Sequence, residues 1–270
     1  MDGVILLDKP PGISSAAAVA GIRRARPRGT KVGHAGTLDP FATGLLLILL
    51  GRATRTQRFM LSLPKIYEVT ARFGARSSTG DPEGEITHTG QVPSGDLHLP
   101  EGTVRQRPPA FSAVKVGGLR AYQLARRGAE VELPEREVLI YRFEEQWREG
   151  DRRGFKIECS SGTYVRSLIA ALGDAYCETL RRVRIGPFDV AQADPERMLG
   201  VSEALSFLPE IRLSRGEARL ALHGGAVQGE AVGHVRLVDA DGLIGVGQPV
   251  APGKVRPVVV LRREAVADEL

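Results

Sequence analysis

The chain has 270 residues, 42% hydrophobic and 26% charged, with a formal net charge of +5 and two cysteines, Cys159 and Cys177. These values fit a globular protein with one large domain, or one medium and one small. They leave no disulfide framework or cysteine metal cluster, and no apolar run approaches the roughly 18 residues of a membrane span. The N-terminus has no basic segment and meets Asp8 after four apolar residues, so no signal peptide is expected and the cytoplasm is the expected compartment. The positive charge lies early. The first 60 residues hold nine Lys/Arg against three Asp/Glu, whereas from Val201 onward the balance is eight against nine. An arginine-rich segment with Arg23, Arg24, Arg26 and Arg28 points to phosphate contact with a polyanion.

In chain order, Gly3–Leu7 predicts a short strand, and Ser14 or Ser15 caps a helix running to about Ala25. Residues 33–46 then set Asp39 in a loop of glycine, threonine and proline that leads directly into Leu45–Leu50, a short buried strand or helix turn. A loop anchored by a buried element suits a rigid catalytic carboxylate, but Asp39-Pro40 reads equally well as the start of a surface turn. A helix is expected near Thr54–Leu61 and a strand over the alternating Lys65–Phe73. Arg76–Gly84 reads as a loop, Gly90–Pro109 as irregular and Ala121–Gly128 as helical. Glu137–Trp147 and Arg153–Ser160 read as a hairpin turning at Gly150-Asp151. Val165–Tyr176 is expected as an amphipathic helix and Thr179–Ile185 as a strand. Strands that outnumber helices without strict alternation predict an α+β fold with a mixed, mainly antiparallel sheet.

A boundary falls near Leu208-Pro209, dividing a domain of residues 1–208 from one of 209–270. Beyond it a helix over Leu213–Leu222 ends at Gly224-Gly225. Strands at Val235–Val238, Leu243–Val246 and Val258–Leu261 fit a small β-barrel.

Several of these segments together carry a resemblance. The run Gly33-His34-Ala35-Gly36-Thr37-Leu38-Asp39-Pro40-Phe41-Ala42-Thr43-Gly44 resembles the signature motif of TruB-type pseudouridine synthases, which isomerise the T-loop uridine of transfer RNA. Lys65-Ile66-Tyr67 resembles their Lys-x-Tyr motif, and Cys159–Leu168 (with Gly162-Thr163-Tyr164-Val165-Arg166) a third. Leu7–Ser15 is similar to the Lys-Pro-x-Gly motif around Lys9, Gln106–Lys115 to a Gln-x-Pro-Pro block, and Leu180-Arg181-Arg182 to a pocket-lining strand. The matches keep their order over residues 3–190. The short Ser94–Arg105 stretch departs from relatives that carry a longer helical segment there. The tail resembles a PUA domain, an RNA-binding barrel.

The resemblance implies a catalytic role for Asp39, an ion pair between it and Arg166, and a Tyr67 that packs on the target base and is a candidate proton acceptor. It implies that Tyr164 and Leu180 line the pocket, that His34 fills the gap left by the flipped base, and that Lys9 stands among the substrate-binding residues, in a motif that brace the catalytic loop. Arg23 and Arg24 are expected on RNA phosphates. Breaking N1–C1′, turning uracil and joining C5 to C1′ needs an anion near the sugar as nucleophile or base, with no metal or organic cofactor. Five scattered histidines show no ligand spacing. The expected partner is the tRNA T-arm, with no membrane and no obligatory protein partner, and the expected state is a monomer. Two rivals are a tRNA-elbow-binding protein that needs no catalysis and a related synthase acting on another RNA. A pure binder has no need of Asp39, Tyr67 and Arg166 together.

Overall fold

The computed structural model describes residues 1–109, 115–116, 118–120 and 133–262. The strands before residue 200 are β1 (Gly3–Lys9), β2 (Val32–Ala35), β3 (Thr43–Leu50), β4 (Lys65–Phe73), β5 (Ala75–Ser77), β6 (Ile86–His88) and β7 (Gly102–Gln106), then β8 (Lys115–Val116), β9 (Leu119–Arg120), β10 (Arg136–Glu149), β11 (Arg152–Cys159), β12 (Ala175–Ile185), β13 (Phe188–Asp189) and β14 (Met198–Leu199). The main sheet runs β14-β1-β3-β12-β4-β11-β10-β7, with β2 also on β3 and β13 on β12. Its pairings are antiparallel except for β3 with β12, where Arg181 and Arg182 lie beside Thr43 and Gly44. This is the mixed, mainly antiparallel sheet expected from the sequence.

Strand β3 explains its own composition. Leu45, Leu47 and Leu49 pack on one side with Phe59 and Met60, while Leu46, Ile48 and Leu50 pack on the other with Ile5 and Val19. A strand buried on both faces has no polar side to show, so its sequence runs continuously apolar. Each such side chain contributes about 1.5–3 kcal/mol on burial. Strand β4 has one half-buried face and alternates, with Lys65, Tyr67, Val69, Ala71 and Phe73 all turned inward. That apolar face packs with Phe155 and Ile157 of β11 and with Leu168 and Ile169.

The helices are short: α1 (Ser15–Arg24), α2 (Gln57–Leu61), α3 (Val165–Ala170), α4 (Val201–Ala204) and α5 (Arg215–Leu222). Ser14 is the cap of α1, accepting from the Ala17 amide at 3.1 Å. The helix expected over Val165–Tyr176 stops at Ala170; Gly173 has φ +135° and β12 begins at Ala175. The expected helix at Thr54–Leu61 is divided, a 3-10 turn over Gly51–Thr56 preceding α2. Within the stretch expected to be irregular, Gly102–Gln106 adds an edge strand to β10. The helix expected at Ala121–Gly128 lies outside the described residues.

After Leu208-Pro209 come β15 (Glu210–Arg212), β16 (Val227–Gln228), β17 (Val235–Asp239), β18 (Gly242–Ala251) and β19 (Lys254–Val260), curled as a half-barrel in the order β15-β17-β18-β19-β16. Helix α5 covers its core of Leu213, Ala221, Leu237 and Ile244, and Ser214 and Glu217 form a reciprocal cap at its start. The half-barrel is not detached. Val246, Val259 and Leu261 belong to the same apolar cluster as Leu45, Leu47 and Phe59. Arg52 and Arg55 donate to the carbonyls of Leu261 (2.6 Å) and Val260 (2.5 Å). Among the described residues, no helix is long and apolar enough to cross a membrane.

Candidate active site

Asp39 sits at the crown of the loop between β2 and β3, and that loop is held from several directions. The fully buried Lys9 donates its ammonium to the carbonyls of Pro10 (2.8 Å), Ile13 (2.9 Å) and Pro40 (3.2 Å). The Gly12 amide also donates to Pro40 O at 2.9 Å. Ser15, buried at the start of α1, donates its hydroxyl to Leu38 O at 3.0 Å and accepts from Leu38 N at 2.8 Å. From β12, the buried Arg182 donates Nε to Leu45 O (2.8 Å) and Nη2 to Gly36 O (3.0 Å). Gly44 is required where β3 meets β12. Its φ is +102°, and a Cβ there would lie 2.2 Å from the Arg182 carbonyl oxygen.

The Asp39 carboxylate meets Arg166, at the second position of α3, through Nε at 2.9 Å. The Arg166 side chain is 4% exposed and does not stand on a surface. Its other end is fixed too: Nη1 donates to Asp81 Oδ2 at 2.9 Å and to Thr79 O at 2.7 Å. Asp81, 4% exposed, in turn accepts from the Thr79 hydroxyl at 2.5 Å and from the Glu83 amide at 3.1 Å. One guanidinium thus spans two carboxylates, with Asp39 facing the cavity and Asp81 behind it. A planar fork of donors suits this task and an ammonium does not. Burial pushes the Asp39 carboxyl above the usual aspartate range. Arg166 draws it down, Asp81 pushes it up again and Lys9 draws it down. The arginine therefore limits the effect of burial without reversing it.

Asp39 and Arg166 line a cavity of about 310 Å³ with Tyr67, Tyr164, Leu180 and Arg182. Tyr67 on β4 and Leu180 and Arg182 on β12 come from paired strands, Tyr67 lying directly opposite Arg182. Burial raises the Tyr67 hydroxyl above its ordinary range, while a hydrogen bond from Arg182 works against the rise. Lys65, two residues back on the same face, donates to Leu61 O (2.5 Å) and Leu63 O (2.6 Å), and burial lowers its ammonium to about 8. Tyr164 is pinned through its backbone: Gln106 accepts from Tyr164 N at 2.6 Å and donates to Tyr164 O at 3.3 Å. The Arg136 guanidinium lies over the Tyr164 ring, 5.0 Å from its centroid.

The structure therefore brings Asp39, Tyr67, Tyr164, Arg166 and Leu180 to one cavity. His34 lies on β2, half-buried, and its carbonyl accepts from Gln57 at 2.6 Å. Arg23 and Arg24 are exposed at the end of α1, and Arg23 donates to Val32 O at 3.0 Å. Lys9, expected among the substrate-binding residues, is enclosed and gives its ammonium to three carbonyls of the protein. Its place corresponds to the bracing role of its motif. Four residues support the site without a place in it expected from the sequence: Asp81, Ser15, Gln106 and Arg182. Gln106 and Arg182 stood inside recognised motifs, whereas Asp81 lay in a segment read only as a loop.

The fold and the family comparisons together place the molecule among the pseudouridine synthases. The fold is similar to that in the crystal structure of a Cbf5-Nop10-Gar1 complex, with a TM-score of 0.70 and 26% identity over 97% of this chain and 84% of that one. The model of the TruB family pseudouridylate synthase N-terminal domain matches residues 23–165. The tRNA pseudouridine synthase B of Aromatoleum aromaticum is 37% identical over 295 residues, covering 100% of this chain and 96% of that protein. That of Aquifex aeolicus is 36% identical over 279 residues, covering 92% and 96%. The chain belongs to the TruB family of pseudouridylate synthases.

Proposed function

We propose that this enzyme isomerises the T-loop uridine of tRNA, position 55, to pseudouridine in the cytoplasm, with Asp39 as the catalytic residue. The observation that carries the reading is the Asp39–Arg166 ion pair at 2.9 Å on the wall of a cavity that also holds Tyr67. Kinship to relatives called tRNA pseudouridine synthase B supports the choice of substrate.

The target nucleotide leaves its stack and enters the cavity, where a base needs an aromatic face and a wall. Tyr67 supplies the face and Leu180 and Tyr164 the wall. The Asp39 carboxylate then attacks C1′ or removes a neighbouring proton, and the N1–C1′ bond breaks. Arg166 keeps the carboxylate charged and aimed through either route. Uracil turns in place and C5 bonds to C1′, which releases the Asp39 carboxylate from C1′ on the first route or returns the abstracted proton to the sugar on the second; the C5 proton then departs and N1 acquires one. Tyr67 is the candidate acceptor for the C5 proton. Because burial holds it as a neutral phenol, it accepts only by passing its own proton onward.

Tritium release from tRNA labelled at uridine C5 tests the reading directly. The expected outcome is one tritium lost per tRNA and a product with pseudouridine at position 55. Tyr67→Phe is expected to bind tRNA within about twofold of wild type and lose most of its turnover. Full turnover in that variant would leave Tyr67 as a stacking surface only. Tight binding of tRNA by the wild type without tritium release would favour the elbow-binding alternative.

A further inference from the structure

The turn from α1 to β2 carries Arg23, Arg24, Arg26, Arg28 and Lys31, and there is no Asp or Glu anywhere between Asp8 and Asp39. Arginines elsewhere are commonly neutralised: Arg72, Arg148, Arg152, Arg153, Arg181 and Arg262 each meet a carboxylate within 4 Å. Among the described residues, none of the five cations of this turn does. Like charges this close repel one another, and an uncompensated cluster is held at a cost to the free protein unless a polyanion relieves it.

The turn is also shaped. Arg23, Arg28 and Lys31 line a surface depression of about 480 Å³ around Pro27, Gly29 and Thr30. Its backbone is set by Thr30, whose amide and hydroxyl both donate to Pro27 O, at 3.1 and 2.7 Å. It is tied to the sheet by Gly51 N on Lys31 O at 2.8 Å and by Arg23 on Val32 O at 3.0 Å. Arg23 is therefore partly a brace and Arg26 is half-buried with its Nε enclosed, which leaves Arg24, Arg28 and Lys31 as the outward cations.

Register gives the distance from the chemistry. Val32 is paired with Leu50, whereas the catalytic loop returns to the sheet at Thr43. Seven steps along a strand span roughly 23 Å. The depression and the reacting carboxylate thus stand at opposite ends of β3. The backbone of an RNA whose uridine fills the cavity meets the depression only if that RNA extends about 20 Å from the flipped base.

We infer that the α1–β2 turn is a phosphate-binding clamp for a part of the substrate RNA remote from the inserted uridine, with Arg24, Arg28 and Lys31 as its contacts. The inference rests on the proposed RNA substrate, and the test separates the two. Arg24→Gln, Arg28→Gln and Lys31→Gln are combined in one variant, leaving Arg23 in place, with a second variant carrying Arg24→Lys and Arg28→Lys. Binding and single-turnover rates are measured against salt on full-length tRNA and on a short hairpin limited to the loop and its closing pairs.

On full-length tRNA the triple variant is expected to bind about tenfold more weakly at moderate salt, and its slope of log K against log salt to flatten by roughly two units. The double lysine variant keeps the wild-type slope, the short hairpin is bound equally by all three proteins, and the rate at saturating tRNA is unchanged. An unchanged slope on full-length tRNA overturns the clamp. Equal weakening on the short hairpin, or a collapsed saturated rate, overturns it as well, by placing the effect at the site or in the fold. Failure of the wild type to isomerise either RNA would instead sink the substrate reading.

Discussion

The Asp39 loop and the α1–β2 turn flank the same strand pair yet are built on opposite terms. In the loop, Leu38, Pro40 and Gly36 are each fixed by a side chain from another element, namely Ser15, Lys9 and Arg182. Its one charge is matched by Arg166, which is matched again by Asp81. The turn carries five cations and, among the described residues, no carboxylate against any of them. Chemistry that depends on geometry within a fraction of an ångström requires over-determination. Recognition of a polyanion needs charge left uncompensated until the ligand arrives.

The largest break in this comparison comes from Asp39→Asn. The amide keeps the shape and can still meet Arg166, but it cannot act as an anion. Single-turnover isomerisation is expected to fall on the order of 10⁴-fold while tRNA affinity stays within a few fold. Activity above a few per cent of wild type would take Asp39 out of the catalytic role.

Arg166→Lys comes next, with a loss of turnover on the order of 10²-fold, because an ammonium cannot span Asp39, Asp81 and the Thr79 carbonyl together. Its pH profile sharpens the point. Arg166 lowers a carboxyl that burial raises, so weakening the pair lifts Asp39 further. The folded pKa then lies further above the unfolded one, and the charged form is lost at a higher pH as the solution is acidified. The acid limb of the variant's rate profile is expected above that of the wild type. A limb at or below the wild-type position would count against direct pairing during turnover.

How much of this was legible beforehand depends on whether the signal was local. The alternation of Lys65–Phe73 is a local signal, and β4 occupies those residues. Leu45–Leu50 is ambiguous in sequence because a doubly buried strand and a buried helical turn share the same apolar run; pairing with β1 and β2 settles it as strand. Val165–Tyr176 has a helical pattern, but Gly173 and the early start of β12 override it after Ala170. The motif residues of the site were visible through resemblance. Asp81 was not, because Gly80-Asp81-Pro82 is ordinary turn chemistry and its partner Arg166 lies 85 residues further along the chain. Ser15 was read only as a possible cap of α1; Ser14 has that place, and Ser15 turns inward to Leu38.

The smallest effect tests the bracing itself. Ser15→Ala leaves the amide and carbonyl of Leu38 without that partner, and a buried unpaired group costs about 1–3 kcal/mol. A loss of that size is expected in denaturant unfolding, with turnover reduced several-fold and the salt dependence of tRNA binding untouched. Unchanged stability and rate would mean that the other braces hold the loop without Ser15.

The shared apolar cluster at the half-barrel has a consequence for synthesis. Leu45, Leu47 and Phe59 are made early, but part of their cover, Val246, Val259 and Leu261, comes near the end of the chain. Those side chains remain partly uncovered while residues 209–261 are added, roughly 3–10 s at about 5–20 residues per second. Addition of β19 and Leu261 is therefore a closing step: until Arg52 and Arg55 find the carbonyls of Leu261 and Val260, the nascent chain carries an adhesive surface that the folded enzyme hides.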